Sequence, residues 1–347
     1  MKNMKKLICV VLVICLLGML CACGANDKAT LNVLNWGDYI DTKLLRQFEK
    51  ETGIKVKYTT MTSNEEMMVK LSSADNIYDL CFPSDYVIEK LIEQDLLLEI
   101  NKDNIPNMKN IDPRFLDLGF DPGNVYSVPY MWGTVGILYN TTMVNEPVTS
   151  WEILWDDAYE GKILMYDSVR DTIGITLMML GYDINTRSSE EVEAARDALI
   201  AQKPLVRAYL TDDIKMEMIN GSAALAVVYS GDAMACMAEN EDLAFTVPLE
   251  GSNVWFDNVI IPKTAKNVSE AEAFINFLCD AQVAATNSEY IGYSTPNAAA
   301  LELMGSDYAD DPTYNPPQEV LDRCAIFHDL GDFIEVFSAA WTKIKAA

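Results

Sequence analysis

Short apolar runs alternate with amphipathic helix patterns along most of the chain, and this alternation limits the possible folds more than any other feature of the sequence. The first pair is the apolar run Leu31 to Leu34 and a helix pattern from Thr42 to Glu51, which Gly53 ends. Repetition of this pair predicts an α/β fold in which a mostly parallel sheet is covered by helices on both faces. The further predicted strands are residues 54–60, 80–82, 135–140, 163–166, 223–229, 244–248 and 254–262.

Capping boxes predict where several helices begin. In each box a Ser is followed three residues later by a Glu, so that the two side chains bond the free N–H groups of the first turn. The boxes are Ser63 to Glu66, Ser188 to Glu191 and Ser269 to Glu272. Further helices are predicted around residues 87–92, 172–180 and 231–239, and after a cap at Thr211 and Asp212.

The chain of 347 residues is long enough for two lobes, each with its own core. We expect the strand Val135 to Asn140 to leave the first lobe and the strand Val254 to Pro262 to return to it. The predicted first lobe comprises residues 30–136 and 259–310, and the predicted second lobe comprises residues 137–258 and 311–347.

The N-terminal segment has the pattern of a secretory leader. A basic start precedes an apolar stretch, Leu7 to Ala22, that is too short and too one-sidedly flanked for a membrane span. Its end resembles the bacterial lipobox, which predicts a lipoprotein signal peptide at residues 1–22, lipidation of Cys23 and a tether at residues 23–29. The mature protein is then extracytoplasmic and anchored by lipid to the cell membrane, at its outer face or in the periplasm. The alternative is an ordinary secretory signal.

The remaining cysteines are widely spaced and include no C-x-x-C pair, so we expect free, buried thiols and neither a disulfide framework nor a zinc site. They are Cys81, Cys236, Cys279 and Cys324. The single histidine, His328, argues against a histidine-based metal site and against a Ser-His-Asp hydrolase. Because the chain also has no P-loop or dinucleotide fingerprint, we expect no cofactor and no ATP hydrolysis.

The charge balance favours a cationic ligand. The chain carries 52 acidic and 26 basic residues, a formal net charge of −26, and three of the basic residues belong to the predicted leader. Such a surface repels nucleic acid and attracts cations. Nucleic acid is therefore not an expected partner.

Aromatic and acidic residues follow the apolar strand runs at five places. Ligands of open α/β sheets lie outside the carboxyl ends of the strands, so these side chains are predicted to line a cleft. Aromatic faces attract ammonium groups and carboxylates bind them by charge-assisted hydrogen bonds, which indicates a receptor for a small organic polycation. The five groups are Trp36, Asp38 and Tyr39; Ser84, Asp85 and Tyr86; Asp167, Ser168 and Asp171; Tyr229 and Asp232; and Trp255 and Asp257.

From about Leu31 to its C-terminus the chain resembles the bacterial periplasmic or lipid-anchored polyamine-binding proteins, the spermidine/putrescine receptors of ABC importers. The resemblance implies a two-lobed periplasmic-binding-protein fold with the ligand cleft between the lobes, a role in transport rather than catalysis, and a membrane permease and an ATPase as partners. The most specific segments are Asn35 to Tyr39, Phe48 to Val56, Tyr78 to Tyr86, Tyr126 to Gly133, Thr149 to Trp151, Trp255 to Asp257 and Ile291 to Asn297.

The same resemblance implies a role for individual residues. Asp257 matches the acid that binds an amine, and Asp171 stands where family members often have Glu. Ser84 and Asp85 fall in a loop that contacts ligand. An aromatic box around the polyamine's methylene chain is matched by Trp36, Tyr39, Tyr86, Trp255 and Tyr293.

Three departures leave the length of the ligand open between putrescine and spermidine. Ser168 replaces an anchoring acid of spermidine receptors. The segment Tyr229 to Asp232 replaces Trp-Asn-Gly-Ser, and an acid at Asp232 is similar to putrescine receptors. Phe327 lies near a position where spermidine receptors use an amide side chain.

Other interpretations of these residues exist. The aromatics Trp36, Tyr39 and Tyr293 are also suited to packing between lobes, and Asp38 and Asp85 to stabilising a helix N-terminus. Two other function classes are a carbohydrate-binding lipoprotein and a secreted glycosidase that uses a carboxylate pair such as Asp171 and Asp257. A ferric-ion receptor is disfavoured, since Trp at two predicted site positions does not ligate iron.

Overall fold

The computed structural model describes residues 29–73 and 75–347, so the predicted signal peptide and Cys23 lie outside the described residues. The nine strands among these residues are β1 Thr30–Trp36, β2 Lys55–Met61, β3 Leu80–Cys81, β4 Ser127–Asn140, β5 Ile163–Tyr166, β6 Val206–Leu210, β7 Leu225–Tyr229, β8 Leu243–Thr246 and β9 Val254–Ile260. The described α-helices are α1 Thr42–Thr52, α2 Asn64–Ser72, α3 Asp85–Glu93, α4 Val169–Met179, α5 Ser189–Gln202, α6 Asp213–Ile219, α7 Ser230–Glu239, α8 Val268–Leu278, α9 Ala281–Ile291, α10 Ala298–Met304, α11 Ser306–Ala309, α12 Gln318–Leu321 and α13 Ile334–Ala346.

All nine strands join one mixed sheet in the order β2-β1-β3-β9-β4-β7-β5-β6, with β8 paired to β4. The predicted parallel pairing is found on both sides, where β1 pairs with β2 and β3, and β5 pairs with β6 and β7. The pairs in the middle of the sheet are antiparallel: β9 pairs with β3 and β4, and β4 also pairs with β7 and β8. Strand β4 runs from one half of the sheet to the other, and β9 runs in the opposite direction.

Strand β4 connects the two halves of the sheet. Its first half, from Ser127 to Thr134, pairs with β9, and its second half pairs with β7 and β8. The strand therefore begins eight residues before the predicted Val135. It accommodates Pro129, which has no N–H to donate, through a register shift between Pro129 and Met131.

The apolar faces of the sheet and helices form two large cores. The first draws on residues 31–132 and 254–283 and includes the buried rings of Phe48 and Phe274. The second draws on residues 135–227 and 330–344 and includes Trp151 and Phe337. A smaller cluster from residues 138–243 forms a further buried patch in the second half.

Two of the three predicted capping boxes start helices as expected. Ser63 accepts a bond from the N–H of Glu66 at 3.1 Å, and α2 begins directly after Ser63, at Asn64. Ser188 accepts a bond from the N–H of Glu191 at 3.4 Å and is followed by α5.

The third predicted capping box is wrong. Helix α8 begins at Val268, one residue before Ser269, and the cap position is occupied by Asn267. The reason is the environment of Glu272, which is buried and accepts hydrogen bonds from the loop residues Asn101 and Asn104. Its carboxylate is therefore not available to reach back to the start of the helix.

The four cysteines among the described residues are free, as predicted. Cys81, Cys236 and Cys279 are buried, and Cys324 is half-buried. Within residues 29–73 and 75–347, no helix is long and apolar enough to cross a lipid bilayer.

Candidate ligand-binding site

Strand β1 delivers the first two aromatic side chains to the sheet edge. Trp36 is its last residue, and the Trp36 indole N–H donates to the carbonyl oxygen of Phe82 at 2.8 Å. Tyr39 follows in the loop before α1 and is 6% exposed. The Tyr39 hydroxyl donates to Oδ2 of Asp257 at 2.7 Å.

Asp257 is a buried carboxylate in the middle of β9. In addition to Tyr39, the hydroxyl of Ser84 donates to its Oδ1 at 2.7 Å. Burial raises the pKa of Asp257 to about 6, while the hydrogen bonds from Ser84 and Tyr39 act in the opposite direction. Both donors are neutral, so the negative charge itself is not compensated.

A continuous row of aromatic rings leads away from Asp257, and each ring meets the next edge to face, the arrangement that ring quadrupoles favour. The row joins both halves of the sheet, because its members come from β4, β5, β7, β9, the loop after β1 and the loop after α9. In order, the centroid distances are Tyr130 to Tyr39 5.5 Å, Tyr39 to Tyr293 6.1 Å, Tyr293 to Trp255 5.1 Å, Trp255 to Tyr229 5.9 Å and Tyr229 to Tyr166 4.9 Å.

A second buried carboxylate, Asp171, lies at the other end of this row, in the first turn of α4. Its Oδ2 accepts bonds from the hydroxyls of Ser168 at 2.6 Å and Tyr229 at 3.0 Å. Ser168 is also the N-cap of α4 and accepts a bond from the N–H of Asp171. Burial raises the pKa of Asp171 above its usual range.

A third acid, Asp232, lies in the first turn of α7. Its Oδ1 forms an ion pair with Nζ of Lys215 at 3.1 Å, and its Oδ2 lies 3.4 Å from the hydroxyl of Tyr293. Burial raises the pKa of Asp232, and the nearby Lys215 opposes this shift. Asp257 and Asp171 thus lie beside the two ends of the ring row, and Asp232 lies beside Tyr293, nearer its middle.

Two glycines allow the rings to lie against the backbone. A Cβ at Gly231 would lie 2.1 Å from the ring of Tyr293, and one at Gly133 would lie 2.7 Å from the ring of Trp255. Both distances are far below van der Waals contact, so any side chain at these positions would displace a ring.

Two predicted site acids, Asp38 and Asp85, bond to no member of the ring row within the described residues. Asp38 is exposed and has a left-handed backbone with φ 47°. Asp85 is 1% exposed and accepts bonds from the N–H groups of Tyr86 and Phe256. Burial raises the pKa of Asp85 to about 8. It is the first residue of α3.

The predicted site residue Tyr86 faces a cation of the protein itself, Arg170, which the sequence analysis did not identify. The guanidinium lies 5.9 Å from the ring centre of Tyr86 and 4.3 Å from that of Phe327. It donates to the carbonyl oxygen of His328 and to the side chain of Asn185. Its position next to Asp171 in the sequence was the only available signal.

Comparison with known proteins supports one family. Residues 43–316 match the profile of the family described as bacterial extracellular solute-binding protein. The chain is 38% identical over 327 residues to the spermidine/putrescine-binding periplasmic protein of Escherichia coli, covering 94% of both chains. It is 32% identical over 343 residues to the putrescine-binding periplasmic protein PotF of the same organism, covering 93% of both.

A solved structure shows the same fold. The spermidine/putrescine ABC transporter substrate-binding protein PotD of Streptococcus pneumoniae superposes with a TM-score of 0.83 and is 40% identical. The match covers 92% of this chain and 99% of that one. This likeness confirms the predicted two-lobed α/β fold.

Proposed function

Since this chain belongs to the bacterial extracellular solute-binding proteins, we propose that it captures a polyamine outside the cytoplasm and delivers it to an ABC importer. The observation that carries this proposal is the row of aromatic rings with buried carboxylates beside both ends. Relatives named for spermidine and putrescine binding match it over nearly their whole length.

The chemistry of the row suits an alkyl diamine or triamine. Methylene groups stack against aromatic rings, and each ammonium group over a ring face gains ~0.5–2 kcal/mol from cation–π attraction. Asp257 at one end and Asp171 at the other would each accept charge-assisted hydrogen bonds from an ammonium group. In this proposal, the ligand residues are those predicted from the sequence, with Asp38 and Asp85 in supporting rather than contacting roles.

Capture follows from the placement of these groups in both halves of the molecule. Asp257 and Tyr39 belong to the half built on β1 and β9, whereas Asp171 and Asp232 belong to helices of the other half. A ligand that contacts both halves stabilises their closed arrangement, because the full set of contacts forms only there. A permease and an ATPase of the importer would then recognise that closed shape. In this proposal the two halves act as the two lobes, with Val254 and Trp255 belonging to the first core.

The proposal includes a lipid anchor at Cys23, which is supported by the lipobox-like end of the leader. Mass spectrometry of the N-terminal peptide from membrane fractions tests this part by itself. Replacement of Cys23 by Ala should release the protein from the membrane. The relatives are named as binding proteins, so we assign binding and not catalysis to the site.

Calorimetric titration of the mature chain with putrescine, cadaverine, spermidine and spermine tests the function. The variant Asp257→Asn keeps the shape of the side chain but removes its charge, and should weaken binding by about 2–5 kcal/mol. A matched control is Asp95→Asn, which removes an exposed acid that pairs with Lys263 outside the site. Absence of binding to every amine, in protein with a cooperative unfolding transition, would refute the proposal.

A further inference from the structure

We propose that Lys215 is a specificity-determining residue, which neutralises Asp232 and thereby makes the site selective for a diamine over a triamine. This inference rests on the proposed function, since it concerns which polyamine the same site prefers. It follows from whether each acid near the ring row is paired with a cation of the protein.

The acids of the site differ in whether the protein supplies a cation. Within the described residues, Asp257 has two hydroxyl donors and no basic group bonded to it. Asp171 likewise accepts bonds only from hydroxyls and backbone, although the charge of Arg170 lies near enough to favour its ionised form. Asp232 alone among the three forms an ion pair with a lysine.

The Lys215–Asp232 pair is well placed to persist. The two residues lie on neighbouring helices, α6 and α7, with 3.1 Å between Nζ and Oδ1. The Asp232 side chain is 16% exposed and that of Lys215 is 36% exposed, so the pair is partly shielded from solvent and salt. The ammonium of Lys215 therefore offsets the negative charge with which Asp232 would attract a ligand ammonium.

A second cation of the protein, Arg170, also disfavours the binding of a third ligand ammonium group. The guanidinium of Arg170 covers the rings of Tyr86 and Phe327, so these faces already hold a cation. Asp85, which is close enough to Arg170 to interact with its charge, adds little negative charge near neutral pH because burial raises its pKa to about 8. Two carboxylates, Asp257 and Asp171, thus remain for ligand ammonium groups, which matches the two charges of a diamine.

The third ammonium of a triamine has no free carboxylate in this arrangement. Near Asp232 it would meet Lys215, and near Tyr86 it would meet Arg170, and both contacts are between like charges. Removal of the Lys215 charge should therefore improve triamine binding more than diamine binding.

The test is calorimetric titration of the mature chain with putrescine and spermidine at about pH 7.5 and ~0.15 M salt. The wild type should bind putrescine more tightly than spermidine. Lys215→Met should tighten spermidine binding by about tenfold while putrescine affinity changes by about twofold or less. Lys215→Arg, which retains the charge, should keep the wild-type ratio and also serves if the Met variant does not fold.

Two further variants distinguish the effect of the Lys215–Asp232 pair from that of a general change in the charge of the protein. Lys263→Met removes a lysine that pairs with Asp95 away from the site, and should leave the ratio unchanged. In the double variant Lys215→Met with Asp232→Asn the gain for spermidine should disappear, because the freed carboxylate is gone.

Amine binding with spermidine preferred by the wild type, or with a ratio that Lys215→Met does not change, would overturn this inference and leave the proposed function standing. Failure of the folded wild type to bind any amine would overturn both.

Discussion

The hydroxyl of Tyr39 donates a 2.7 Å hydrogen bond to Oδ2 of Asp257, a residue 218 positions away in the chain. Ser84 holds the other oxygen of the same carboxylate. The bond makes Tyr39 more than a stacking ring, because it orients a buried charge in the candidate site. This role leads to a direct comparison between two tyrosines.

Tyr39→Phe should weaken polyamine binding by ~1 kcal/mol, since the variant keeps the ring but loses one hydrogen bond to the carboxylate. Calorimetric titration with putrescine measures the change. Tyr159→Phe is the matched control, because the Tyr159 hydroxyl also donates to a carboxylate, that of Glu146, at 2.8 Å but outside the site. Equal affinities of the two variants would show that the Tyr39 bond does not position Asp257.

Binding should weaken as the solution becomes acidic. The pKa of Asp257 is raised to about 6, so this carboxylate takes up a proton below that pH and no longer attracts an ammonium group. Affinity should be nearly constant above about pH 7 and fall by up to about tenfold per pH unit below about pH 6. Titrations across this range test the expectation. Asp257→Asn should lose most of this dependence, and a wild-type affinity that stays constant down to about pH 5 would contradict the assignment.

Asp85 should affect stability through its proton. Its pKa is raised to about 8 in the folded protein, compared with ~3.9 in an unfolded chain, so the folded state holds a proton that the unfolded state has released. Stability attributable to this group is therefore present at low pH and declines as pH rises between these two values.

Two substitutions at Asp85 separate the carboxyl charge from the hydrogen bond. Asp85→Asn retains an acceptor for the N–H of Phe256 and should remove most of this decline. Asp85→Ala leaves that N–H unpaired and should cost ~1–3 kcal/mol. Urea unfolding at about pH 5 and about pH 8 gives both quantities. An Asn variant less stable than the Ala variant at both values would contradict this account.

Gly231→Ala should displace the ring of Tyr293 from Trp255, because the new Cβ would lie 2.1 Å from that ring. We expect amine affinity to fall by about tenfold, or ~1.4 kcal/mol. Gly119→Ala is the control, since nothing lies within 4 Å of a Cβ at that position. If calorimetry shows the same affinity for both variants, the ring row does not contribute to binding.

Local patterns were sufficient to predict much of the fold. The apolar runs and two capping boxes identified strands and helices that the structure contains, such as β5 and α2. The extended start of β4 was missed because Pro129 argues against a strand unless a register shift accommodates it. The box at Ser269 failed because Glu272 bonds to a distant loop, and no local pattern encodes that contact.

The acids of the candidate site and four rings of the row were among the residues predicted from the sequence. The partners of those acids were not predicted. Tyr130 and Tyr166 were missed because they lie in strand runs, where an aromatic residue is ordinarily a core residue. The Lys215–Asp232 pair has no sequence signature, since its members are 17 positions apart and lie on two different helices. Long-range pairs of this kind depend on how helices pack, which a single sequence does not specify.

Neither large core can be completed early in synthesis. The first core requires residues up to position 283, and the second requires Leu330, Phe337 and Ile344 near the end of the chain. At bacterial rates of about 20 residues per second, a ribosome needs on the order of tens of seconds to make them. Throughout that time the growing chain lacks the partners for its own apolar faces. Neither core can therefore fold completely until late in synthesis. Until then the nascent chain stays unfolded and accessible to the proteins that bind it as it leaves the ribosome.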